Sequence, residues 1–146
     1  MDSFGYKLLF LLHILAIIAA FAPVFVWPSV AGRLKKQQKP VGATIGELAA
    51  GNTTRLHGPA LVLAGIFGLG MVGLSDGAFE FSQAWVSAAV LIWFLMLGVL
   101  FAVLLPAEKK AAAGDLAAEK LVSMGNGILS LLLVLQVIDM IWKPGR

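Results

Sequence analysis

The side chains best suited to chemistry in this chain are two histidines, His13 and His57, and a polar pair near its end, Gln136 and Asp139. His13 lies in an apolar run from Leu8 to Trp27, and no charge occurs between Lys7 and Arg33. An imidazole in such surroundings needs a partner, so an ionisable group at membrane depth marks a functional site by default. Gln136 and Asp139 are three residues apart, hence on one helix face. At about 1.5 Å per residue, His13 sits about 9 Å inside one boundary of an apolar layer, with Gln136 about 10 Å and Asp139 about 6 Å inside it. Ala16 and Ala20 share the His13 face and admit close approach of another helix. The layer admits four roles: a polar contact that joins helices, a cofactor site, a proton-carrying site, or side chains that merely face lipid. The helix-joining contact is the expected one. His13, Gln136 and Asp139 are the candidate cofactor-binding residues, and no catalytic or metal-ligating set is expected.

His57 falls at the opposite boundary, about 20 Å from His13 along the layer normal. One haem iron needs its nitrogen ligands within about 2 Å, judged by ordinary metal–nitrogen bond lengths. Both histidines of one chain therefore do not serve one haem. A haem site needs His13 alone, or His13 from two subunits meeting on a two-fold axis. Met71, Met96, Met124 and Met140 are possible second ligands, although methionine in an apolar helix is usually filler. His57, near Arg55 and Glu47, is expected as an interfacial residue at a helix start. Ser75 and Ser82 lie towards the His13 boundary, but nothing places either beside His13 with an oxyanion site. No phosphate loop, zinc spacing or Rossmann glycine pattern occurs.

The elements that hold these residues read from hydropathy. Of 146 residues, 60% are hydrophobic and 13% charged, about half the charge of a soluble domain. Mean hydropathy is +0.92. Cysteine is absent, which excludes disulfides and thiolate chemistry. A crossing of the roughly 30 Å apolar layer takes about 20 helical residues. Four such runs predict helices over about 7–28, 58–74, 84–105 and 116–142, joined by a polar loop over about 32–56. The expected fold is a single all-α domain over 1–146, an integral membrane four-helix bundle of two antiparallel hairpins. Pro28 and Pro106 are expected to end the first and third helices. Thr44 to Glu47 has capping-box spacing for a short surface helix, weakened by Gly46 and Gly51. Asp115, after Gly114, is the expected N-cap of the last helix. Ala60, Ala64 and Gly68 form a small-residue stripe for helix packing. Trp93 is expected to pack or face lipid. Ala20-Phe21-Ala22 resembles a signal-peptide cleavage site, but Pro23 follows it, so the first run is expected to be retained.

Eight of the eleven basic residues, Arg33, Lys35, Lys36, Lys39, Arg55, Lys109, Lys110 and Lys120, fall on one side of this scheme. Lys7, Lys143 and Arg146 fall on the other. The positive-inside rule then makes the first and third loops cytoplasmic and both termini extracytoplasmic, in a multi-pass protein of the cell membrane. Tyr6, Trp27, Trp85 and Trp142 are expected in the interfacial belts. The basic clusters fit anionic lipid rather than nucleic acid. The expected partners are the bilayer and either further copies of the chain or a larger membrane complex.

The first helix, with Lys7-Leu-Leu-Phe-Leu-Leu-His13-Ile14, Ala19-Ala20-Phe21-Ala22-Pro23-Val24-Phe25 and Pro28, resembles that of small bacterial four-helix integral membrane proteins of unknown function. It is also distantly similar to the membrane protoporphyrinogen oxidases and to copper-resistance D type membrane domains. In the oxidases a first-helix histidine after a lysine is the proposed haem ligand, so the resemblance implies haem or porphyrin binding at His13. Arg55-Leu56 and Pro59-Ala60 resemble the start of their second helix. The similarity covers about the first half. The oxidases carry a lysine and a histidine in the third helix, where this chain has Val86-Ser87-Ala88-Ala89 and no histidine. The two expected functions are thus a helper or binding subunit built round a polar contact at His13 and, second, a haem-binding relative of the oxidases. Neither requires enzymatic turnover.

Overall fold

The computed structural model describes residues 3–38 and 41–145. Lys39 and Arg146, from the two basic groups, lie outside the described residues. The rest is all-α. Four helices, α1 (Phe4–Lys36), α2 (Val41–Gly73), α3 (Ala84–Ala112) and α4 (Leu116–Trp142), are each long and apolar enough to cross a membrane.

The helices are longer than the apolar runs that mark them. The 33 residues of α1 extend through Trp27 to Lys36, about 50 Å at 1.5 Å per residue. The segment expected as a loop over 32–56 is largely helix. Its last part, Val41–Asn52 and Thr53–His57, runs without a break into Gly58–Gly73. Thr44 is therefore inside α2 and caps nothing. Pro106 likewise does not end α3, which continues to Ala112.

The prolines explain how. A proline ring clashes with the carbonyl four residues before it and supplies no N–H. For Pro59 that residue is Arg55, and for Pro106 it is Ala102. Each lies in a stretch of wider π-helix, Thr53–His57 in α2 and Val99–Leu104 in α3. Widening the turn relieves the clash and lets the helix pass the proline intact. Neighbouring helices support such adjustments in an apolar setting.

At α4 the expected cap is present. The Asp115 carboxylate accepts from the amides of Ala117 and Ala118 at 2.9 and 3.2 Å. Gly114 before it has φ +89°, a backbone state that glycine adopts without strain.

Small residues set the packing. Along the α1–α2 seam Leu74 meets Gly5, Leu9 meets Gly70, His13 meets Gly68, and the Phe21 ring meets His57. Between α2 and α3, Gly46 lies against backbone at Glu108 and Ala112, Gly58 against Phe101, and Gly65 against Trp93. Leu104 of α3 packs on Gly125 of α4. Along the two seams of α2, residue numbers rise on one helix as they fall on the other. The shared core is Ala20, Phe21, Ala60, Leu61, Met96, Leu100, Leu104 and Leu129. The Ala60, Ala64, Gly68 stripe does line a helix seam, with both alanines buried. Trp93 does more than pack. Its indole N–H donates to the Leu61 carbonyl at 2.9 Å and ties α3 to α2.

Candidate functional site

His13 is buried in the α1–α2 seam, 6% exposed. Two features hold it there. Gly68 has no side chain, and a Cβ at that position would stand 3.3 Å from the imidazole Cε1. One helical turn earlier, the Ala64 carbonyl accepts from His13 Nδ1 at 2.7 Å. A carbonyl only accepts, so Nδ1 carries the proton in this contact. A small residue thus opens the space, and the backbone supplies the partner that the buried ring requires.

Gln136 and Asp139 are also buried, on α4. Neither is hydrogen-bonded to His13. Gln136 Oε1 and Asp139 Oδ2 have no hydrogen-bond partner among the described residues. The expected polar layer is therefore not joined as a unit. His13 finds a backbone carbonyl on α2, while Gln136 and Asp139 face the interior from another helix. A sequence reading counts depth along the layer, and depth does not say which helices are neighbours.

A second buried polar group was not foreseen. Thr53, His57 and Glu108 are among the least exposed residues of the chain, Glu108 at 2%. The Thr53 side chain bonds to the Glu108 carboxyl across α2 and α3. The His57 ring meets Phe21 edge-on, with centroids 5.8 Å apart. His57 Nε2 and Glu108 Oε2 have no hydrogen-bond partner among the described residues. The expectation of a helix start at His57 is thus corrected. The residue is buried in the middle of α2, because the helix begins sixteen residues earlier, at Val41. Glu108 escaped notice because it sits in AEKKAAAG, which reads as a solvated connection.

Other expected roles change as well. Ser75 is buried, and its hydroxyl donates to the Val72 carbonyl at 2.7 Å and accepts from the Phe79 amide at 3.0 Å. Ser82 donates to Glu80 at 3.0 Å. Neither serine approaches a histidine by hydrogen bond. Of the tryptophans expected in the belts, Trp142 is exposed and Trp85 is buried. The Lys143 ammonium lies over the Phe79 and Trp85 rings, 4.9 and 5.2 Å from their centroids. That is cation–π distance.

Clefts of about 310 and 360 Å³ open on the surface. Both lie around Trp27, towards the end of the bundle that carries Arg33, Lys35 and Lys36, and neither has His13, Gln136 or Asp139 in its wall. A porphyrin on His13 would need open space at the ring. Within one chain the ring is packed against Gly68 through its Cε1 edge. Among the described residues, no group of three or more His, Cys, Asp or Glu side chains is placed to hold a metal ion. No family model, curated protein or solved structure matches the chain.

Proposed function

We propose that the chain is a small multi-pass protein of the cell membrane, two antiparallel hairpins forming one bundle, that works as a helper or binding subunit. It acts as a self-oligomer or within a larger membrane complex, with both termini extracytoplasmic. The observation that carries this reading is the use to which the His13 imidazole is put. It spends its N–H on the Ala64 carbonyl, across two helices apolar enough to span a membrane. Polar groups in membrane bundles commonly join helices in this way. The hydroxyls of Ser75, Ser82, Ser87 and Ser130, engaged with backbone and with Glu80, support a non-hydrolytic role.

The test is alkaline washing of membranes, then mild detergent extraction and sizing of the native assembly. The protein should stay with the membrane after the wash and then migrate as an oligomer or larger complex. Release by alkali overturns the membrane assignment. A monomer that turns over a defined substrate overturns the subunit role. The haem alternative has His13, Gln136 and Asp139 as the binding residues, with His13 alone or His13 from two copies as the iron ligand. It predicts a Soret band that vanishes in His13→Ala, and a colourless preparation after haem supply eliminates it.

A further inference from the structure

The buried group at the α2–α3 seam, Thr53, His57 and Glu108, has no part in the subunit role proposed above. All three are enclosed, 1%, 3% and 2% exposed. Thr53 and His57 stand four residues apart in the π-helical stretch of α2, one turn along the same face. Single π turns inside an α-helix recur at functional sites. The Glu108 carboxyl comes from α3 and bonds to the Thr53 side chain. Its Oε2 has no hydrogen-bond partner among the described residues, so the Thr53 bond falls on the other oxygen. His57 Nε2 has none either.

An ionised carboxylate buried in this way needs a counter-charge. The segment that holds Glu108 packs on α2 and α4, and the segment that holds His57 packs on α1. The charged residues of these elements point elsewhere. Arg33, Lys35 and Lys36 of α1, Glu47 and Arg55 of α2, Lys109 and Lys110 of α3, and Lys120 of α4 are all exposed. Glu119 of α4 is half-buried and lies against Gly42. Among the described residues none of them is ion-paired or hydrogen-bonded to Glu108 or His57, and His57 is not ion-paired with Glu108. Metal ions suit the group poorly. A hard cation takes an all-oxygen set, which an imidazole does not join. A transition metal takes more than one imidazole and one carboxyl, and no group of three such side chains is placed to hold one among the described residues. A proton needs neither space nor further ligands, and it removes the charge.

We propose that Thr53, His57 and Glu108 form a proton-binding site inside the bundle. Glu108 carries the proton as an O–H on Oε2, and the Thr53 hydroxyl donates to the other carboxyl oxygen. Release breaks the O–H bond and leaves its electron pair on the carboxylate, while the proton goes to water or to the His57 ring. The Thr53 hydrogen bond and an imidazolium at His57 then offset the new charge. Uptake and release thus change the charge at the place where Gly46 brings α2 against the backbone of α3 at Glu108. The bundle itself supplies the burial, so the site stands apart from the subunit role.

The test records infrared spectra of the full chain in lipid nanodiscs over a pH series. At neutral pH the wild type should show the carbonyl stretch of a protonated carboxylic acid that Glu108→Gln loses and Glu119→Gln keeps. His57→Leu and Thr53→Val remove the groups that favour the ionised form. Each should therefore raise the pH at which the band disappears by about one unit or more. A spectrum unchanged by Glu108→Gln, or a midpoint unmoved in both other variants, overturns the site. A band abolished by sodium or potassium chloride at constant pH makes the ligand a metal cation and overturns the proton assignment. Should Glu108→Gln fail to assemble, carbon-13 labelling of the glutamate carboxyls in the wild type decides alone. Of Glu47, Glu80, Glu108 and Glu119, the four glutamates of the chain, one should stay protonated at neutral pH and be unaltered by Glu119→Gln, and four ionised carboxyls overturn the site. The same spectra can be read in detergent, so a failure of the membrane assignment is told apart from a failure of the site.

Discussion

At the scale of single residues, His13 shows how a buried polar side chain can be satisfied without another side chain. Its partner is a main-chain carbonyl, and the space for the ring comes from a glycine. Removing the imidazole should therefore loosen one seam and leave the fold. His13→Ala is expected to cost about 0.6–2 kcal/mol, the range for hydrogen bonds between membrane helices. Unfolding of the detergent-solubilised protein, compared with wild type, measures this. No loss of stability would show that the 2.7 Å contact contributes nothing. The unpartnered atoms of His57, Glu108, Gln136 and Asp139 are the converse case. Each is buried polar surface that no described residue satisfies, and burial of that kind normally calls for water, an ion or a partner.

At the scale of elements, the helices are shaped by their prolines and glycines rather than ended by them. Pro59 and Pro106 each follow a widened turn that moves the obstructing carbonyl aside. Gly46 and Gly51 would ordinarily weaken a helix by about 1 kcal/mol each relative to alanine, yet they do different work. A Cβ at Gly46 would stand 2.6 Å from the Ala112 backbone nitrogen, whereas one at Gly51 would meet nothing within 4 Å. The two substitutions should thus act in opposite directions. Gly46→Ala should push α2 off α3 and destabilise by about 1–3 kcal/mol, the usual cost of overpacking. Gly51→Ala should be neutral or stabilise by up to about 1 kcal/mol through helix propensity. Thermal unfolding of the two variants side by side decides the matter. Equal effects would mean that α2 and α3 are not packed through Gly46.

At the scale of the whole molecule, charge asymmetry and helix length together set the proposed orientation. The basic ends of α1 and α3 carry Arg33, Lys35, Lys36, Lys109 and Lys110. Lys120 stands near the start of α4. Lysine and arginine near span ends favour the cytoplasmic side. The chain has no cysteine of its own, so single replacements report cleanly. In intact cells, an impermeant thiol reagent should label Ser3→Cys from outside. Gln38→Cys and Ala113→Cys should react only after the membrane is opened. The reverse pattern would invert the bundle.

Hydropathy alone determined the number and class of the helices, because a run of about 20 apolar residues has few other stable uses. The Asp115 cap was legible too, since an aspartate one residue before a helix satisfies amides that nothing else reaches. Helix ends were not legible from hydropathy. Val41–His57 is polar enough to read as a loop, yet it is helical because Gly46, Ala49 and Thr53 present a buried face, with Gly46 against α3 and Thr53 bonded to Glu108. The sequence placed His13, Gln136 and Asp139 at one depth, which follows from the constant rise of a helix. Only the tertiary structure assigned partners, because helix neighbours and rotations depend on where small residues let backbones approach. Gly68 and Ala64 turned His13 towards α2, and Gly46 brought the backbone of α3 beside α2 near Glu108.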